Sequence, residues 1–161
     1  MMKQMNFFIE RAREDDKPAI LELLKQVNMH NIPSPEMPEI TLENYFVARM
    51  GGRVVGFSGY KILSETDAKT ELMVVDNACR GWGVGFQLQA RRMEDMLEKG
   101  IRTLTTNTDL PPTIYWYKKH FGYREVGKLK KLHEFSDPNI REWTTLKVDL
   151  WEWNKNRKTL E

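Results

Sequence analysis

The stretch that decides the fold is Val75-Asp76-Asn77-Ala78-Cys79-Arg80-Gly81-Trp82-Gly83-Val84-Gly85. Just before it, Thr70 to Val75 (Thr-Glu-Leu-Met-Val-Val) reads as a strand. After it the apolar period becomes helical, with Phe86, Ala90, Met93 and Leu97 expected on one face. A cationic last turn and a glycine stop are expected at Lys99-Gly100. A strand, a glycine-rich turn and a helix start, in that order, make an anion site. The first helical turn has N–H groups without intrahelical partners, and the helix dipole adds partial positive charge there. Glycines accept left-handed φ and let a bulky phosphate approach the backbone. Arg80 brings a full charge to the mouth of the turn, so pyrophosphate is its natural occupant.

Working outward, Phe7 to Arg11 reads as a first strand. Asp15 and Asp16 offer an N-cap with Pro18 in the first turn, and Ile20, Leu23, Leu24 and Val27 form one helical face. Asn28 to Glu39, with Pro33, Pro35 and Pro38, is denied regular structure. Tyr45 to Met50 and Arg53 to Leu63 read as a hairpin across Gly51-Gly52. Downstream come a strand from Arg102 to Asn107 and a short helix from Pro112 to His120, broken by Phe121-Gly122-Tyr123. Arg124 to Leu132 is extended, and Thr144 to Leu150 alternates with Leu146, Val148 and Leu150 facing one way. This order predicts an α+β fold with a mixed, mostly antiparallel sheet flanked by helices.

Composition bounds the function. The 161 residues fit one domain spanning 1–161, and 40% apolar with 30% charged residues excludes a mostly disordered chain. No apolar run reaches the roughly 18 residues of a membrane span. The start lacks the pattern of a secretory signal, and the single cysteine, Cys79, excludes an internal disulfide; a reducing cytoplasm is the expected compartment. Residues 1–80 carry 10 basic and 12 acidic side chains and residues 81–161 carry 15 and 11, a tilt from −2 to +4. That is too weak for a nucleic-acid footprint, though it suits a small polyanion held by the second half. No ligand cluster for a metal is legible.

Three motifs compete for the glycine turn. The dinucleotide fingerprint GxGxxG fails because the third glycine, Gly85, comes one place early. Arg80-Gly81-Trp82-Gly83 begins like an RNA-recognition strand, but Gly85 and Gln87 stand where a valine and a stacking aromatic belong, and the residues after them have a helical period. The third covers more. Arg80, Gly83 and Gly85 meet Arg/Gln-x-x-Gly-x-Gly/Ala, and the segment resembles the acyl-CoA signature of the GNAT superfamily of N-acetyltransferases. The element order over residues 7–150 resembles the whole GNAT domain.

The resemblance implies acetyl-CoA as co-substrate, with no metal. The backbone N–H groups of Arg80, Gly81, Trp82, Gly83, Val84 and Gly85 would hold its pyrophosphate. Met73, Val74 and Val75 would pair with the pantetheine arm like an added strand, and a backbone N–H there would polarise the thioester carbonyl. Trp82 itself is read as lying against the phosphates or capping the helix start, the second being favoured. Asn107, ending the fifth strand, is expected to touch pantetheine, although Thr108-Asp109-Leu110-Pro111-Pro112 makes the link to the next helix longer than the family's.

The reaction implied is direct attack by a neutral primary amine. Glu71 is the leading base: it precedes the pantetheine stretch and shares a strand face with Met73 and Val75, where apolar neighbours would raise a carboxyl pKa. An ordinary ion pair is the competing reading. Tyr117 is the first choice for the acid that protonates the departing thiolate, and Tyr115 the alternate; about 200° apart on a helix, they cannot both face the thioester. Tyr117 lies five residues before Gly122, one more than the family spacing, an excess that a bulge near His120 would absorb.

Acceptor choice is expected in two loops, one with His30, Glu36, Glu39, Glu43 and Tyr45, the other His133-Glu134-Phe135-Ser136-Asp137-Pro138. Their carboxylates suit a cationic amine, expected to be a small molecule. Two rivals remain: a non-catalytic acyl-CoA-binding module on the same fold, and an RNA-binding domain. Edge strands with Trp151 and Trp153 leave room for a homodimer.

Overall fold

The computed structural model describes residues 6–29, 34, 36–37 and 39–159. The elements are β1 (Phe8–Arg11), a 3-10 turn (Glu14–Asp16), α1 (Lys17–Lys25), β2 (Tyr45–Met50), β3 (Arg53–Ile62) and β4 (Asp67–Val75). Next come a second 3-10 turn (Asn77–Cys79), α2 (Val84–Glu98), β5 (Thr103–Thr108), α3 (Pro111–Phe121), β6 (Arg124–Lys130), β7 (Glu142–Asp149) and α4 (Leu150–Thr159). The seven strands are ordered β1-β2-β3-β4-β5-β7-β6, and β4 with β5 is a parallel pair. The mixed α+β sheet expected from the sequence is therefore present. Among the described residues no helix is long and apolar enough to cross a membrane.

The chain forms two compact units. The first comprises residues before Lys61 with Glu71–Glu94. Here Gly51 and Gly52 take φ of 57° and 83°, so both central residues of the β2–β3 turn are left-handed, as a tight hairpin requires. A Cβ on Gly56 of β3 would lie 3.1 Å from Leu88 and 3.2 Å from Val84, so this glycine seats α2 close to the strand. The helix face differs from the expected one. Val84, Leu88, Arg92 and Met93 are buried, whereas Phe86 is 42% exposed and Ala90 is only half-buried. A hydropathy reading places an arginine outside, and a fully buried Arg92 therefore shifts the phase.

Asp16 departs from its expected capping role. Its carboxylate makes no side-chain cap to α1 but accepts two bonds from the Arg49 guanidinium, at 2.9 and 3.0 Å, and one from the Arg13 N–H at 2.8 Å. This ties the start of α1 to β2.

The second unit comprises Lys61–Thr70 with Asp95–Glu161. The β4–β5 ladder joins Asp67 to Thr103, Ala68 to Leu104 and Lys69 to Thr105. Leu146, Val148 and Leu150 are buried, as their alternation predicts. Gly100 and Gly122 end α2 and α3 with φ of 83° and 72°. Helix α4 is absent from the sequence reading. Asp149 caps it, accepting from the N–H groups of Trp151 at 2.9 Å and Glu152 at 3.2 Å. The cap signature Asp149-x-x-Glu152 is in the sequence, but Leu150 also completes the strand alternation and masks it.

The Asp16–Arg49 contact predicts a stability effect. The Arg49 guanidinium, helped by the Arg13 N–H, holds the Asp16 carboxyl below its ordinary range against the opposing cost of burial. A carboxyl depressed in the folded state stabilises fully above its unfolded pKa and loses that stabilisation as pH falls through its folded value. Denaturant titrations of Asp16→Asn at pH 7 should show a loss of about 2–3 kcal/mol. The difference from the parent should shrink below pH of about 4.

Candidate functional site

Strand β4 feeds the glycine turn through a short 3-10 segment. The Asp76 N–H donates to Val55 O at 2.8 Å, and its side chain accepts from the Ala78 N–H at 3.0 Å. Cys79 is buried there, and burial pushes its thiol pKa up, which suits a packing residue and not a nucleophile. Gly81 and Gly83 then take φ of 87° and 83°, with nothing within 4 Å of an added Cβ. Backbone conformation, not crowding, makes glycine the fitting residue at both. The first helical bond runs from the Gln87 N–H to Gly83 O at 3.1 Å, so the N–H groups of Val84 and Gly85 lie ahead of the helix's own ladder. A Cβ on Gly85 would meet Val75 at 3.6 Å, an ordinary contact. Arg80, Gly81, Trp82 and Gly83 are exposed, and the turn offers its backbone to solvent.

On β4, Glu71, Met73 and Val75 are half-buried and alternate with buried Leu72 and Val74. Glu71 has a partner that the sequence reading does not supply. Its Oε2 accepts a 2.6 Å hydrogen bond from the Tyr45 hydroxyl. Tyr45, read from the sequence both as a strand start and as a residue of the acceptor side, begins β2 and is buried opposite Gly59 of β3. A Cβ on Gly59 would fall 2.5 Å from the Tyr45 ring, so the ring occupies the space that glycine leaves. Burial, and then the neighbouring Glu71 carboxylate, push the Tyr45 pKa far upward, leaving the hydroxyl a donor at neutral pH. Arg92, fully buried on α2, donates to Gly59 O and Leu72 O, both at 3.0 Å, and to the Gln89 side chain at 2.7 Å. It ties α2 to β3 and β4 beside Glu71. No motif flags it, because only the folded strands present those carbonyls to it.

In the second unit, Asn107 lies opposite Thr145, and its Oδ1 accepts from the Thr145 hydroxyl at 2.6 Å. Tyr117 is buried on α3 and lies edge-on to Trp116 and Tyr123, each at 5.0 Å between ring centroids; Tyr115 is 63% exposed. The bulge expected near His120 is not formed. Helix α3 runs unbroken to Phe121, and the Gly122 N–H closes it on Lys118 O and Tyr117 O.

The long link after β5 has a structural use. Asp109 within it pairs with Lys131 at 2.8 Å, both side chains being about 95% buried. Lys131 also donates to Phe135 O and Asp137 O, while Asp109 accepts from the Ser136 hydroxyl and the Asp137 N–H. The β6–β7 loop is thereby held to the β5–α3 link. His133 in it stacks on Phe135 at 5.1 Å. His30, the other acceptor-side histidine, lies outside the described residues. Among the described residues no three His, Cys, Asp or Glu side chains gather as metal ligands.

Residues 9–123 match the model of the acetyltransferase (GNAT) family, well over half of the chain. The chain belongs to that family. It is 29% identical over 96 residues to the N-alpha-acetyltransferase RimI of Mycobacterium tuberculosis, a match covering 58% of this chain and 60% of that relative. Two solved structures share the fold, each with a TM-score of 0.71. The Escherichia coli ribosomal-protein-S18-alanine N-acetyltransferase is 16% identical, with 90% of this chain and 94% of that chain covered. The Neisseria gonorrhoeae N-acetylglutamate synthase, solved with coenzyme A and N-acetyl-glutamate, is 19% identical, with 92% of this chain and 36% of that one covered. These likenesses to solved structures support the GNAT fold assignment.

The Asp109–Lys131 pair predicts a large stability effect. Lys131→Met removes one partner and leaves a buried carboxylate, so it should cost about 3–5 kcal/mol in chemical denaturation. The double variant Asp109→Asn/Lys131→Met should recover part of that loss.

Proposed function

We propose that this chain is an acetyl-CoA-dependent N-acetyltransferase that acetylates a primary amine by direct attack on the thioester. The observation that carries this reading is the exposed turn with left-handed Gly81 and Gly83 at the head of α2, directly after β4, in a GNAT-family chain. Arg80 to Gly85 receive the pyrophosphate. Met73, Val74 and Val75 meet the pantetheine amides. Asn107 contributes a further contact through its side-chain amide.

Glu71 takes a proton from the acceptor so that its nitrogen lone pair is free. The nitrogen adds to the acetyl carbonyl, the C–S bond breaks, Tyr117 protonates the departing thiolate, and the proton that the new amide nitrogen sheds returns through water to Tyr117. Its burial favours Tyr117 over exposed Tyr115 for this role. The acceptor is a primary amine. A small molecule agrees with the carboxylates of the acceptor loops, while a peptide N-terminus agrees with the likeness to RimI and to the ribosomal-protein enzyme.

Two measurements test this. Acetyl-CoA at about a hundred times its Kd should raise unfolding stability by about 2.7 kcal/mol. Gly83→Ala, which puts a Cβ at φ 83°, should weaken that effect at equal ligand concentration. Thiol release should then be followed over a panel of polyamines, amino acids and peptides with free N-termini. A responsive acceptor identifies the class; binding without turnover on any member favours a non-catalytic acyl-CoA module. Glu71→Gln should lower kcat on the responsive acceptor by about 10²–10⁴ with acetyl-CoA affinity retained. Tyr117→Phe should lower kcat less, because a thiolate is a fair leaving group near neutral pH.

A further inference from the structure

We infer that Tyr45 is a positioning residue for Glu71: its hydroxyl engages one carboxylate oxygen and leaves the other to receive the acceptor's proton. The inference rests on the reading of Glu71 as base. Three observations carry it. The Tyr45 hydroxyl donates to Glu71 Oε2 at 2.6 Å. The Tyr45 ring is buried and sits where a Cβ on Gly59 would fall, 2.5 Å away, so the hydroxyl is held by packing as well as by its bond. Arg92 pins the strand backbone on either side of the contact through Gly59 O and Leu72 O.

The groups around this contact come from several elements. Strand β2 brings Tyr45, and β3 brings Gly59, which has no side chain. Helix α2 brings Arg92, whose charge acts on the Tyr45 hydroxyl. Lys69 stands two residues earlier on Glu71's own strand. The Tyr45 bond fixes the direction of the free oxygen. The proton taken from the amine resides on that oxygen while Tyr45 stays protonated.

The test is Tyr45→Phe, which keeps the ring on Gly59 and removes only the hydroxyl. The variant is made in the parent and in a Glu71→Gln background, and kcat, KM for acetyl-CoA and unfolding stability are measured with the responsive acceptor of the panel. The expected result is a fall in kcat on the order of tenfold in the parent, with KM for acetyl-CoA retained, and no further fall in the Glu71→Gln background. Gly59→Ala, which displaces the ring, should lower kcat in the same way. An unchanged kcat in Tyr45→Phe overturns the inference, as does an equal fall in both backgrounds. Full activity in Glu71→Gln is a separate outcome: it removes Glu71 as the base and overturns the proposed mechanism as well.

Discussion

The site depends on a constraint in the backbone between β4 and α2. Gly81 and Gly83 both hold φ near 85°, a region costly for any residue with a Cβ, and no neighbouring atom crowds either position. The conformation therefore turns the chain out of the strand and into the helix while leaving the turn open. The Gln87 N–H bonds to Gly83 O, so the amides of Val84 and Gly85 lie ahead of the helix's own ladder at the positive end of a fifteen-residue helix. Gly56 contributes from the other side by letting Val84 and Leu88 settle onto β3. Close packing fixes where the helix starts, and the left-handed glycines fix how its start is presented.

A second layer of polar contacts orders the surroundings of Glu71. Strand carbonyls and the Gln89 side chain help make burial of the Arg92 guanidinium tolerable. Tyr45 is likewise committed, with its ring on Gly59 and its hydroxyl on Glu71. Each side chain ties one element to another: Arg92 joins α2 to β3 and β4, and Tyr45 joins β2 to β4. The Asp109–Lys131 pair does the same in the second unit for the loop between β6 and β7. Apart from the Arg92–Gln89 bond, these contacts connect residues far apart in sequence.

That separation explains which features are legible in the sequence. The hairpin at Gly51-Gly52, the glycine turn, the helix stops at Gly100 and Gly122 and the alternation of β7 can be read because each depends on neighbouring residues. The buried face of α2 cannot, since Arg92 belongs inside only once two strand carbonyls are in place. Helix α4 is hidden because Leu150 serves both as the last alternating residue of β7 and as the first of the helix. Asp16 carries a sequence signal for capping, yet Arg49, thirty-three residues away, claims its carboxylate. Of the site, the glycine turn and Glu71 can be named from local pattern, whereas the role of Tyr45 cannot. Its place at the start of a strand can be read, but its bond to Glu71, twenty-six residues on, exists only in the folded sheet.

The most direct test tracks the backbone amides during an acetyl-CoA titration of the 15N-labelled chain. Binding at the head of α2 predicts that the amide signals of Gly81, Gly83, Val84 and Gly85 move together and saturate on one binding curve. A saturating titration that leaves these four signals in place would contradict it.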